Sequence, residues 1–452
     1  VEPSIFLDFN LPNAATWFYF SLLLTIALFF QFGRPLSVRN FDLLTLFLLV
    51  PGFLLLQEAH QLIRSGDSTA PEDSPARLTA IRGQRELLLA YSWLLAGSLY
   101  WFVRAIIDLA LVRRPVANPN LNTSGLAWLG IALFLCLAAV ATRPGSESIV
   151  SAPIGTRPLA MEHLQDGATA LAQQTQSASP ADVRFWVERS LALMCHLAVA
   201  LGLLMIGWRQ FNDAAAGVGL ATLYVLVPYT AFQIQSFHHA WAAAFITWAL
   251  FFYRRPHVSG WLLGLAAGSA LVPLLLFPLW VSFYARRGSM RFTIAFAQAL
   301  LLSVGILVFA LWWEGWITSN LTPDSLSEWV PWKRSRAESL WTGVHGAYRL
   351  PIFVLFVGFV GVLTIWPSPK NLSHLIALSA AVLLGVQFWH ADQGGVYVLW
   401  YLPLVLLMIF RPNLSNHEPP AIEPGGMFRW AGAAWNRVRG RKTVPAGNEL
   451  AV

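Results

Sequence analysis

The chain has 452 residues, of which 56% are hydrophobic and only 12% charged, against roughly 25% charged in a soluble domain. That balance excludes a soluble globular protein and predicts an all-α membrane protein, with the bilayer as solvent for most of the sequence. The net charge of +7 then serves orientation and lipid contact, with no nucleic acid as partner. The two cysteines, Cys136 and Cys195, both fall in apolar segments and read as buried structural thiols, with no disulfide framework and no Cys/His metal spacing.

In chain order, the apolar runs predict spans at 15–33, 42–57, 88–111, 125–142, 187–207, 215–231, 238–253, 292–313, 350–366, 372–389 and 397–410, about 11 full crossings. The first run lacks a basic flank before it and a small-residue cleavage site after it, so it reads as a retained span. Arg104 and Asp108 are four apart on the third run and predict a salt bridge near its end. The stretch 259–285 is different. A single helix through its 27 residues would be roughly 40 Å long, more than the ~30 Å hydrocarbon core needs. Gly260, Gly264 and Gly268 repeat on one face of its first half, and Pro273 and Pro278 interrupt the second. The pattern predicts two half-helices that return to the side they left, a re-entrant hairpin.

Charge placement agrees. With 259–285 re-entrant, seventeen of the 30 Lys and Arg residues fall on the inner side, including Arg254, Arg255, Arg286, Arg287 and Arg291. A single crossing would move most of the cations outside, against the positive-inside bias. The resulting reading is a multi-pass protein of the plasma (inner) membrane, with its N-terminus outside and a basic, disordered tail, 411–452, in the cytoplasm. Long loops gather outside, at 58–87, 143–186 and 314–349, and chemistry is expected there.

Four outer groups are candidates. In loop 143–186 the run 159–172 suits a short interfacial helix that projects Glu162 and Asp166 from one face beside His163. Such a carboxylate pair could act as a general base or hold a divalent metal against a lipid phosphate; a solvated polar face is the plainer alternative. At 228–241, His238 and His239 lie where two spans join. Being adjacent on one helix they point about 100° apart, unsuited to sharing a metal but able to bind phosphate or donate a proton. At 387–401, His390, Asp392, Tyr397 and Tyr401 surround a Gly394–Gly395 break at the outer mouth of the last span. Loop 314–349, with Trp312 and Trp313 just before it, combines six tryptophans, among them Trp329 and Trp341, with Lys333, Arg334, Arg336 and Arg349, and reads either as a sugar- or phosphate-binding surface or as a loop lying at the headgroups.

The segment WRQFNDAAAGVGLATLYVLVPYTAFQ, the later YRRPHVSGWLLGLAAGSALVPLLLFPLWVSFYARRG and the closing QGGVYVLWYLPLVLLMIF resemble the GT-C superfamily of membrane glycosyltransferases, in particular family-87-like enzymes that use polyprenyl-phosphate sugars. The resemblance covers about 125–410, with 1–124 as extra N-terminal spans. It implies a lipid-linked sugar donor, inversion at the anomeric carbon, and a catalytic acid in the first long outer loop, where Glu162 and Asp166 stand. His238, His239, His390, Asp392, Tyr397 and Arg334 would then bind the substrate. The alternatives are a transporter with a broken-helix site and a non-catalytic membrane scaffold.

Overall fold

The computed structural model describes residues 14–67, 69, 71, 73–111, 119–142, 159–175, 179–285, 287–313 and 339–420. Among these the elements are all helical. Seven helices are long and apolar enough to cross a membrane and four shorter apolar ones accompany them, so the chain is a multi-pass helical membrane protein.

The helices are α1 (Ala14–Phe29), α2 (Val38–Thr45), α3 (Val50–Ser65), α4 (Pro75–Ile107), α5 (Thr123–Ala141), α6 (Leu159–Thr175), α7 (Pro180–Arg209), α8 (Ala214–Leu226), α9 (Pro228–Phe232) and α10 (Phe237–Phe251). After them come α11 (Pro256–Ser269), α12 (Phe277–Phe283), α13 (Ser289–Trp313), α14 (Leu350–Ile365), α15 (Leu372–Trp389) and α16 (Val398–Phe410). Several starts follow from local chemistry. Ser74 and Ser179 each accept a backbone N–H with proline at the first helical position, and Asn122 and Asp213 cap α5 and α8 in the same way. The expected span 88–111 therefore belongs to a 33-residue helix, because the cap lies well before the apolar run begins. The expected span 42–57 is broken at 46–49 into α2 and α3. The expected span 215–231 is broken at Val227 by Pro228, which has no N–H to continue the ladder.

Contacts between loops sort the turns into two ends of the bundle. At one end Asn120 donates to the carbonyls of Ala27 and Phe30, Gln210 to that of Phe251, and Tyr284 Oη to that of Tyr253. This is the basic end, with Arg34, Arg254, Arg255, Arg287 and Lys370 in its turns. Residues 411–420 lie across it: Arg287 pairs with Glu418 at 2.6 Å, the Leu372 N–H donates to the His417 carbonyl, and Leu414 is fully buried. That part of the tail expected to be disordered is packed; 421–452 lies outside the described residues.

A four-member ion network joins the basic end to the spans. Arg104 donates two bonds to Asp42, at 2.7 and 2.6 Å, and one to Asp108 at 3.1 Å; Arg411 holds the other Asp108 oxygen at 2.6 Å. All four side chains are buried. Two cations balance two anions, so no uncompensated charge is left in a medium that penalises it. Burial first, and the Arg104 charge second, lower Arg411 to about 10, which leaves it cationic at neutral pH. The expected Arg104–Asp108 pair is present; Asp42 and Arg411 complete it from far along the chain. Cys195 is buried as expected, whereas Cys136 is exposed on α5.

The stretch 256–283 leaves and rejoins the basic end. A methyl placed at Gly260 would meet the Phe292 carbonyl at 2.5 Å, and one at Gly264 the Phe296 carbonyl at 2.5 Å; Gly268 faces Ser303. The ascending order on both helices means that α11 and α13 run parallel. The chain between them, bent at Ala270 and through Pro273, must therefore travel back, and Tyr284 reaches Tyr253 when it arrives.

Candidate functional site

The opposite end holds the candidate residues, and two helix breaks assemble them. The first follows α8, where the chain turns through α9 and residues 233–236 before α10. His196 of α7 anchors this turn. Its Nε2 faces the Gln233 carbonyl at 3.3 Å and must donate there, so Nδ1 is left to accept from Tyr224 Oη at 2.9 Å. Both nitrogens are satisfied by the fold, and His196 is a structural histidine that sequence reasoning did not single out. The second tie comes from Arg189, which donates to the Gln235 carbonyl at 2.7 Å.

The second break is 390–397, between α15 and α16. Gln387 Oε1 accepts the Gly395 N–H at 2.9 Å, and His390 Nδ1 faces the Asp392 carbonyl at 2.8 Å. A carbonyl only accepts, so Nδ1 of His390 carries the proton and Nε2 is its lone-pair nitrogen. Gln393 adopts φ 50°, and Gly395 φ 102°. The left-handed region suits the glycine and strains Gln393, the sort of local strain that clusters at functional sites. A side chain at Gly395 would strike Leu94 at 2.9 Å, which fixes the loop against the middle of α4.

These breaks bring four of the expected residues into one row of rings. His238 and His239 have centroids 4.3 Å apart, His239 lies 5.5 Å from Tyr397, and Tyr397 lies 5.1 Å from His390. Trp400 stacks on Tyr397 at 4.1 Å. His238, His239 and Tyr397 are buried and His390 is half-buried. The adjacent histidines, expected to diverge, sit ring against ring at the start of α10. Asp392 is the carboxylate beside the row, and its charge acts on both His390 and the buried Arg349. Burial is the main influence on His390 and lowers it from the ordinary histidine value; the Asp392 carbonyl and charge oppose that, and Arg349 adds to it. The Gln233 side-chain amide nitrogen is buried with no hydrogen-bond partner among the described residues.

The loop carboxylates stand apart from this row. Expected helix 159–172 is present as α6, and Met161, Gln165 and Thr169 form its buried face. Glu162 is exposed on the other face, and Asp166 pairs with Arg184 at 3.4 Å, both half exposed. Arg334 lies outside the described residues. No group of three or more metal-ligating side chains occurs among the described residues.

Depth also characterises the site. The 13 residues of α16 span about 20 Å, so the ring row stands that far from Arg411. Beyond Leu94, α4 continues to Pro75, and α7 reaches Pro180. Both helices therefore extend past the level of the row. Comparison of the chain with protein families, with characterised proteins and with solved structures finds no match.

Proposed function

We propose that the chain is a membrane glycosyltransferase of GT-C type, which transfers a sugar from a polyprenyl-phosphate donor at the outer face of the membrane. The observation that carries this reading is the row His238–His239–Tyr397–His390 with Asp392 and Arg349 beside it. A lipid-linked donor stays in the bilayer, so in this reading its sugar is met at the row from the membrane side. The resemblance of 125–410 and the return of 256–283 to its starting end are consistent with that family's architecture.

In this reading Asp392 takes the proton of the acceptor hydroxyl as its oxygen attacks the anomeric carbon. The bond from that carbon to the lipid phosphate breaks, and Arg349 with His238 and His239 holds the phosphate charge as it leaves. Tyr397 and Trp400 offer faces on which a sugar ring can pack. Glu162 and Asp166, the base candidates from loop position, lack contact with the row, and Asp392 takes their role here.

Transfer from a radiolabelled polyprenyl-phosphate sugar to endogenous acceptor in membranes is the test. Asp392→Asn and His390→Ala are expected to lower turnover by about 10²-fold or more, while Glu162→Ala and Asp166→Ala leave it near the parent level. Unchanged transfer in the Asp392 and His390 variants would defeat the assignment. A second reading, a transporter, is favoured by the placement of the row at broken helices. Solute uptake into proteoliposomes with no sugar transfer would select it.

A further inference from the structure

The basic end carries a second concavity, far from the ring row. An open groove of about 940 Å³ runs between α2 and the last turns of α4, at the upper end of the range typical of small-ligand sites. Its walls are Phe41, Leu44, Leu99, Val103 and Ile107, all partly exposed, and its floor is the Asp42–Arg104 salt bridge. The break at 46–49 accompanies it: α3, after the turn, packs along α4, whereas α2, before the turn, packs little against that helix.

Two properties define what fits. The floor presents no open charge, because Asp42 takes both of its bonds from Arg104 and Arg104 also holds Asp108. A hydrocarbon chain can therefore lie there without stranding a charge. The rim at the basic end carries a cation. Arg34 is exposed and directly precedes Pro35 and Leu36 of the lining. The nearby acids, Asp42 and Asp108, are neutralised within the network and oppose nothing at the rim.

We infer that this groove binds one anionic phospholipid of the leaflet at the basic end, with an acyl chain along Leu99 and Val103 and its phosphate at Arg34. Such a lipid would brace α2 against α4 beside the ion network. The site is independent of any activity at the ring row.

Native mass spectrometry of the purified full chain, offered phosphatidylglycerol or phosphatidylcholine in the micelle, reads the proposal directly. The parent should retain phosphatidylglycerol over phosphatidylcholine by about fivefold, since one surface cation contributes about 1 kcal/mol toward an anionic lipid. Val103→Trp and Leu99→Phe, which fill the groove, should each abolish retention, and Arg34→Glu should remove the preference between headgroups. Leu355→Trp, on an exposed face of α14, controls for a bulky residue elsewhere and should retain the lipid. Equal retention of both lipids by the parent, or undiminished retention in both filled variants, overturns the site. A dimer that Val103→Trp dissociates overturns it too, by showing a second copy of the chain in the groove.

Discussion

The quartet Asp42, Arg104, Asp108 and Arg411 shows how much one residue can carry in a bundle of apolar helices. Asp108 is fully buried and serves both arginines, so removing it leaves two cations facing one anion. Asp108→Ala should destabilise the protein by about 3–5 kcal/mol, the usual cost of stranding a buried charge. Asp42→Ala should cost less, since Arg104 keeps Asp108 as a partner. Thermal unfolding in detergent measures both, and equal melting temperatures for the two variants would show that the network is not organised around Asp108. The spacing of Arg104 and Asp108 made their pairing legible in the sequence, because four residues is one helical turn. Asp42 and Arg411 were not legible, since the tertiary fold alone brings positions 62 and 303 residues away to the same point. The same limit applies at the site. His390 and Asp392 were visible as a pair near a Gly–Gly break, but nothing local says that His239 would meet Tyr397.

Among the elements, α11 and its partner α13 turn a sequence pattern into architecture. Glycine every fourth residue gives a face without side chains, and the two backbones approach until Gly260 and Gly264 face carbonyls of α13. This is close packing by small residues, the usual basis of helix association where lipid removes the hydrophobic drive. Gly264→Leu should separate the pair, with about 1–3 kcal/mol or more lost to overpacking. Gly305→Leu and Gly358→Leu, at glycines with nothing nearby, should be nearly neutral by the same melting assay. If all three variants behave alike, the glycine row is incidental. The pattern was readable because it depends on spacing within one helix. The lengths of α4 and α7 were misjudged for the complementary reason: Ser74 and Ser179 start each helix before the apolar stretch, in water-facing sequence that hydropathy ignores.

At the scale of the whole molecule the question is which end faces the cytoplasm. The turns at 34, 254–255, 287 and 370 share one end with Arg411, and a positive-inside bias would put that end in the cytoplasm. The decisive segment is 256–283. If it enters and leaves the membrane on one side, His257 and Met290, both exposed, share a compartment although some thirty residues of apolar chain separate them. Were it a single crossing, they would lie on opposite sides and every later span would invert. Single cysteines placed at His257, Met290, Ser65 and Ser179, in a chain with Cys136 and Cys195 replaced by Ser and Ala, distinguish the two. A membrane-impermeant maleimide applied to intact cells should label Ser65→Cys and Ser179→Cys, and should reach His257→Cys and Met290→Cys only after permeabilisation. Labelling of one member of the 257/290 pair without the other would overturn the hairpin. Labelling of both, with 65 and 179 protected, would keep the hairpin and reverse the molecule. The ring row would then face the cytoplasm, and an outer-face transferase could not be sustained.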